Sequence, residues 1–336
     1  LSTPSFLKLF LIWLLCAASI PVDYPNLFLM APIGISALSW LFNSEKLKDK
    51  VQINFKAVYL FSFIGLALPL LFFFWFNFHS YGNPLQFSGT VESVAAIDQF
   101  GNPTVSRLDK PKQIEDLENP VPEPEKSAVG FFKTRHILNG FYIHFFSPDR
   151  GILYFTPVII FGLLGLFVAY RKKLPLIKVL FSIIGANLFL YSMWGDPWGG
   201  WAFGSRYLIP SYALLSIFIA IFLTKFKKNI ILILVFWLLA LYSVMVNTAG
   251  ALSTSAMPPK VQVLELERIS GMVQKYTYER NLDILKNGGS KSFAYNTFFK
   301  NNLSAFQYYQ LIAGVISLVI TAEMIALLLS KRLNEN

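Results

Sequence analysis

The chain has 336 residues, of which 54% are hydrophobic, 16% aromatic and only 14% charged, whereas a soluble domain carries roughly 25% charged residues. That balance excludes an ordinary soluble enzyme and points to an all-α, polytopic integral membrane protein, because a run of about 20 apolar residues crosses the hydrocarbon core as a helix. The net charge of +10 follows from topology, as its distribution shows, and gives no argument for a nucleic-acid partner.

Eight apolar runs occur in order, over residues 6–20, 26–42, 57–76, 152–170, 174–194, 207–226, 229–246 and 308–330. Each is expected to span as a helix, giving a bundle of about eight transmembrane helices. The first two form a hairpin with the tip PVDYPN, and the second leads into the basic stretch EKLKDK. The third ends in FNFHSYGNPLQFSG, whose Gly82, Asn83, Pro84 and Gly89 signal turns. Residues 77–151 form a long loop that contains PVPEPEK, read as an extended, solvated linker. The end of that loop, 137–151, is apolar but too short to span, and lies in the interface or re-enters beside the core. Residues 247–307 form a second long loop, with a helical look around 261–285. The chain as a whole, 1–336, reads as one transmembrane domain. It begins with Leu and has no signal-peptide pattern, so it is expected to be a fragment without its natural N-terminus.

Charge orients this bundle. Grouping the KLKDK, RKK, KFKK and C-terminal KR ends on one side places 14 Lys and Arg against 4 Asp and Glu there, an excess equal to the whole net charge of +10. The positive-inside rule makes that side cytoplasmic, where basic residues meet anionic lipid of the bilayer. Loops 21–25, 77–151, 195–206 and 247–307 then share the non-cytoplasmic face.

The connection YSMWGDPWGGWAFGSRYLIP, residues 191–210, is the richest candidate site. It combines Trp194, Trp198, Trp201 and Tyr207 with Asp196, Arg206 and glycines that let a backbone approach a ligand. An interfacial aromatic belt accounts for the rings but requires neither the glycines nor the arginine. Arg150, within SPDRG, enters the fourth span from the same side. Two guanidiniums at one depth suit a phosphate, which they grip through parallel hydrogen bonds; the alternative is snorkelling, or local pairing with Asp149 and Asp196. The tryptophans offer faces for a sugar ring, with Asp196 and Asn187 as hydroxyl partners. Asp23, Tyr24, Asn77 and His79 are outward-facing residues that either line a cleft or serve as caps and headgroup contacts. The single Cys16 excludes an intrachain disulfide. The three histidines show no metal-ligand spacing, so no metal is expected. No GxGxxG, Walker, GxSxG or HExxH motif occurs.

In order, FNFHSYGNPLQFSG, SPDRGILYFTPV and WGDPWGGWAFGSRYLIP resemble the later portion of bacterial polytopic glycosyltransferases of the GT-C superfamily, similar to protein O-mannosyltransferases and lipid A aminoarabinose transferases. The resemblance implies transfer of a sugar from a polyprenyl-phosphate donor, with no other cofactor, to an acceptor outside the bacterial inner membrane. It also implies an acid in the first outward loop as general base, and cations on the departing phosphate. Arg150 and Arg206 match the cations by position. No early span followed by an acidic pair is present, so the base is expected to lie outside this chain, which would leave it inactive alone; otherwise Asp23 or Asp196 would have to replace it. A transporter or flippase for an anionic or lipid-linked solute, and a non-catalytic assembly protein, are the alternatives.

Overall fold

The computed structural model describes residues 5–47, 50–86, 129–271, 273 and 275–333. The PVPEPEK linker and most of the 77–151 loop lie outside the described residues. The helices in chain order are α1 (Phe6–Ser19), α2 (Asn26–Leu38), α3 (Ile64–Tyr81), α4 (Ile137–Phe145), α5 (Ile152–Phe155), α6 (Ile159–Arg171), α7 (Ile177–Ser192), α8 (Ile209–Phe226), α9 (Ile230–Leu252), α10 (Lys260–Ser270), α11 (Glu279–Lys286) and α12 (Ala305–Leu333). The basic connection after α2 is an antiparallel hairpin of β1 (Phe42–Leu47) and β2 (Lys50–Phe55). Its ends are closed by Phe42 opposite Phe55, ring centroids 5.5 Å apart.

The architecture is a helical bundle of membrane type. Ala57–Tyr81, Arg206–Phe226, Ile230–Leu252 and Ala305–Ala326 are long and apolar enough to cross a bilayer, while Phe6–Ser19, Asn26–Leu41, Ile159–Arg171 and Ile177–Ser192 are apolar but shorter. Every expected apolar run is therefore helical, and four of the eight reach spanning length. Helices arise here because hydrocarbon offers no partner for backbone N–H and C=O groups, which must be satisfied within the segment. Local chemistry sets the ends. Ser5 accepts from the Lys8 N–H to start α1, Asn229 accepts from the Leu232 N–H to start α9, and Gly82, at φ 73°, terminates α3 in the left-handed conformation that glycine adopts without a Cβ clash.

The packing centre is the crossing of α6 on α8. A Cβ at Gly162 would lie 2.8 Å from the Leu215 carbonyl oxygen, and one at Gly165 only 1.9 Å from that of Phe218. The two backbones are in contact, as small residues permit between membrane helices. Ile159, Leu166, Leu215 and Phe218 fill the seam, joined by Ile177 and Ile184 of α7. On one flank α1 and α2 pack through Leu9, Trp13 and Ala37, with the Trp13 indole donating to Ser62 Oγ at 3.1 Å. On the other, α12 joins α9 and α11 through Ala249, Leu285, Tyr308 and Tyr309. The short apolar α4 docks on protein: Gly140 lies so close to α7 that a Cβ there would meet the Ser192 carbonyl oxygen at 2.1 Å. This arrangement collects the 20–25 tip, the 193–208 connection, the SPDRG turn and the 253–260 segment at one end of the bundle.

Candidate functional site

The 193–208 connection is pinned at its start by Trp194. Its ring stacks on Phe131 at 5.3 Å with planes 6° apart and meets Phe132 edge-on at 5.5 Å. The backbones pair alongside, with Gly195 N–H donating to the Phe131 carbonyl at 2.7 Å and Lys133 N–H to that of Met193 at 2.6 Å. Trp194 is thus a packing anchor. The next turn is closed by Asp196, whose Oδ2 accepts from the Gly200 N–H at 2.6 Å. Gly199, at φ 71°, would place a Cβ 3.0 Å from Arg206 Nε, so glycine here serves both the positive φ and the room the arginine occupies.

Arg150 is the keystone beneath that turn. It is 0% exposed. Nε donates to the Trp198 carbonyl at 2.8 Å, Nη1 to that of Asp149 at 2.6 Å, and Nη2 to those of Gly200 at 2.9 Å and Met257 at 2.8 Å. Burial pushes its pKa down to about 10, against Asp149 and Asp196, so it stays charged at neutral pH. Its neighbour Asp149, also 0% exposed, accepts from Ser147 Oγ and, through Oδ2, from the Lys260 N–H at 2.9 Å. That bond caps α10, whose N-cap Pro259 makes no side-chain cap of its own. SPDRG therefore ties the 193–208 connection to the 253–260 segment. Four donated hydrogen bonds commit the Arg150 guanidinium to the protein backbone.

Arg206 stands differently. It is exposed, with its guanidinium carbon 5.3 Å from the Tyr207 ring centre. The Tyr207 ring lies on Tyr191 with centroids 4.1 Å apart and planes 8° apart. Across this pair comes Asp23 from the α1–α2 tip, facing the Tyr191 hydroxyl and the Arg206 charge. Partial desolvation of the Asp23 carboxyl raises its pKa above the usual carboxylate value, opposed by Arg206 and then Tyr191. Asp23, Asp196, Arg206, Tyr191 and Tyr207 thus form one open cluster of two acids, one cation and two stacked phenols.

The base of the cluster is a buried polar network. Asn187, 0% exposed, donates to the Tyr207 carbonyl at 3.0 Å and accepts from Ser211 Oγ at 2.6 Å. Its amide is engaged inside the protein. His144, also 0% exposed, places Nδ1 2.8 Å from Ser205 Oγ, while Nε2 has no hydrogen-bond partner among the described residues. Burial lowers the His144 pKa to about 4, with the Tyr191 backbone opposing, so the ring is neutral at physiological pH.

The remaining expected residues divide. Trp198 contributes its carbonyl to Arg150. Trp201 is 52% exposed, and its indole donates to Gln262 Oε1 at 2.5 Å. Tyr24 packs edge-on to Phe73 of α3 at 5.8 Å. Asn77 is buried and donates to the Pro84 carbonyl at 3.2 Å, and the His79 ring lies tilted against Trp75, centroids 4.8 Å apart; both make these contacts within α3 and its following turn. Tyr191 and His144 were not singled out from sequence, because nothing local marks a tyrosine that stacks across a loop or a histidine that braces one. Among the described residues no group of three or more His, Cys, Asp or Glu is arranged to hold a metal. Comparison of the chain with protein families, curated proteins and solved structures finds no match.

Proposed function

We propose that this chain is a membrane glycosyltransferase that transfers a sugar from a polyprenyl-phosphate donor to an acceptor at the non-cytoplasmic face, with the eight apolar helices embedded in the bacterial inner membrane. The observation that supports the reading is the meeting of Asp23, from the first loop, with Arg206 and the Tyr191–Tyr207 stack. The reaction needs a base and a cation on opposite sides of one anomeric carbon. Asp23 takes the proton of the acceptor hydroxyl as its oxygen bonds to the anomeric carbon. The bond from that carbon to the lipid phosphate breaks, and Arg206 receives the phosphate on which negative charge develops. The stacked tyrosine rings shape the sugar's surroundings. Arg150 holds the site together instead of gripping the phosphate, since its hydrogen bonds go to carbonyls.

Transfer from a synthetic polyprenyl-phosphate sugar, measured in proteoliposomes of the full chain, tests this. Asp23→Asn is expected to lower the rate about a hundredfold or more, and Arg206→Ala to lower it on a similar scale, with both variants inserted normally. A well-inserted Arg206→Ala protein that transfers at the wild-type rate defeats the assignment, and donor-dependent passage of the lipid without sugar transfer points to a flippase.

A further inference from the structure

The 196–201 turn has a second side. Gly199 faces Arg206 and Tyr207, but Trp201, two residues on and hence within about 7 Å along the chain, lines a cavity of about 540 Å³. Ser253 and Thr254, at the end of α9, and Arg280, Ser290 and Lys291 complete its polar wall. That volume falls in the range of small-molecule sites.

The wall is braced by hydrogen bonds within the protein. Asn281 Nδ2 donates to Ser253 Oγ and to the Thr254 carbonyl, both at 2.8 Å. Arg280 Nη1 donates to the Ala256 carbonyl at 2.8 Å, Ser290 Oγ to that of Leu252 at 2.5 Å, and Lys291 N–H to that of Ser253 at 3.0 Å. The indole N–H of Trp201 is directed to Gln262, which fixes the ring while half its surface stays exposed.

The charge is one-sided. Among the described residues, Arg280 and Lys291 line the cavity and no carboxylate does. The acids of α11 are turned to another partner: Lys275 Nζ lies 2.7 Å from Asp283 and 4.0 Å from Glu279. Two cations, hydroxyls and an aromatic face in one concavity suit a ligand that combines an anionic group with a ring bearing hydroxyls. The guanidinium and ammonium meet the anion, and the indole face covers the C–H surface of the ring.

We infer that this cavity binds an anionic saccharide, a sugar carrying a carboxylate or phosphate, and presents it across the 196–201 turn as the acceptor. Its role as acceptor site rests on the glycosyl-transfer reading; its binding chemistry does not. Calorimetric titration of the full chain in phosphatidylcholine nanodiscs with glucose 6-phosphate, galacturonic acid, glucose and inorganic phosphate is the test. The two anionic sugars are expected to bind at least about tenfold more tightly than glucose or phosphate, and Lys291→Ala to weaken them roughly ten- to hundredfold. Arg280→Gln should act in the same direction. Because Arg280 also braces Ala256, the exposed Lys291 is the decisive variant. Trp201→Ala should weaken charged and neutral sugars by a common factor. Equal binding of glucose and glucose 6-phosphate, no effect of Lys291→Ala, phosphate binding as tightly as the phosphosugar, or displacement of the sugars by phosphatidylglycerol in the nanodisc would each overturn the inference. Anionic-sugar binding that persists where no transfer occurs sinks the transferase reading alone. Transfer without such binding sinks the cavity assignment alone.

Discussion

Replacing Arg150 with Met separates a structural arginine from a phosphate ligand. The substitution keeps much of the aliphatic stem and removes a guanidinium that is 0% exposed and donates to four carbonyls, those of Asp149, Trp198, Gly200 and Met257, at 2.6 to 2.9 Å. Each carbonyl left buried without a partner costs about 1–3 kcal/mol, but neighbouring backbone relaxes and the terms do not add. Breaking a buried charged network from one side costs about 3–5 kcal/mol in total. For a chain of this size that corresponds to a fall in Tm of roughly 4–7 °C, read by thermal unfolding of the purified protein in detergent. Arg150→Lys should recover only part of the loss, because an ammonium has three donors on one centre and lacks the planar fork that reaches separate segments. Hydrogen exchange should increase in residues 195–203 and 255–260 together, as both are tied to this one side chain. Wild-type stability in Arg150→Met, with weakened donor affinity alone, would refute the argument and return Arg150 to the phosphate.

Three further outcomes follow from the geometry. The raised pKa of Asp23 moves the acid limb of kcat/KM above the usual Asp value of about 3.9, since the base must be deprotonated; a limb at or below that value contradicts its placement. His144, with a folded pKa of about 4 against an unfolded value near 6.5, is neutral when folded while the unfolded chain binds a proton between those pH values. Stability is therefore fully present above pH 6.5 and is lost as pH falls towards 4, by up to about 3 kcal/mol. His144→Gln should flatten that window in unfolding measured from pH 7 to 4, and a stability difference between the two proteins that does not vary with pH refutes it. Gly165→Leu drives a side chain into the α6–α8 contact, where even a Cβ would lie 1.9 Å from the Phe218 carbonyl oxygen. It should cost several kcal/mol, at or above the roughly 1–3 kcal/mol of ordinary overpacking, and reduce the folded yield in detergent, whereas the same change at Gly314, where an added Cβ would meet no other part of the described residues within 4 Å, should not.

Hydrophobicity alone located all eight apolar helices, because a continuous apolar run in a chain this poor in charge is its own signal of helix. The same property hid their lengths: α1, α2, α6 and α7 stop short of a full span, at caps and turns that an apolar window averages over. The hairpin after α2 shows in sequence only as the basic stretch EKLKDK. Its strand signal lies in the alternation of NSEKL and VQINF, which is brief and interrupted by lysines, and pairing rather than composition makes it a sheet.

The 191–210 connection was legible as a special stretch, because three tryptophans, an arginine and four glycines in twenty residues exceed what a turn requires. Which of its residues face a ligand was not. Arg150 and Arg206 are alike in sequence, each beside an acid or an aromatic at the mouth of an apolar run. Only the fold puts one under the carbonyls of two separate segments, the 193–208 connection and the 253–260 segment, and leaves the other exposed beside Asp23. The partners that decide their roles lie 48 to 107 positions away in the first case and at the tip of the bundle's first hairpin in the second. Local sequence thus determined helix, apolar face and the presence of charge. The assignment of each charge to carbonyl, ligand or solvent was decided by tertiary structure, because a hydrogen bond is specified by the position of its acceptor and not by the identity of its donor.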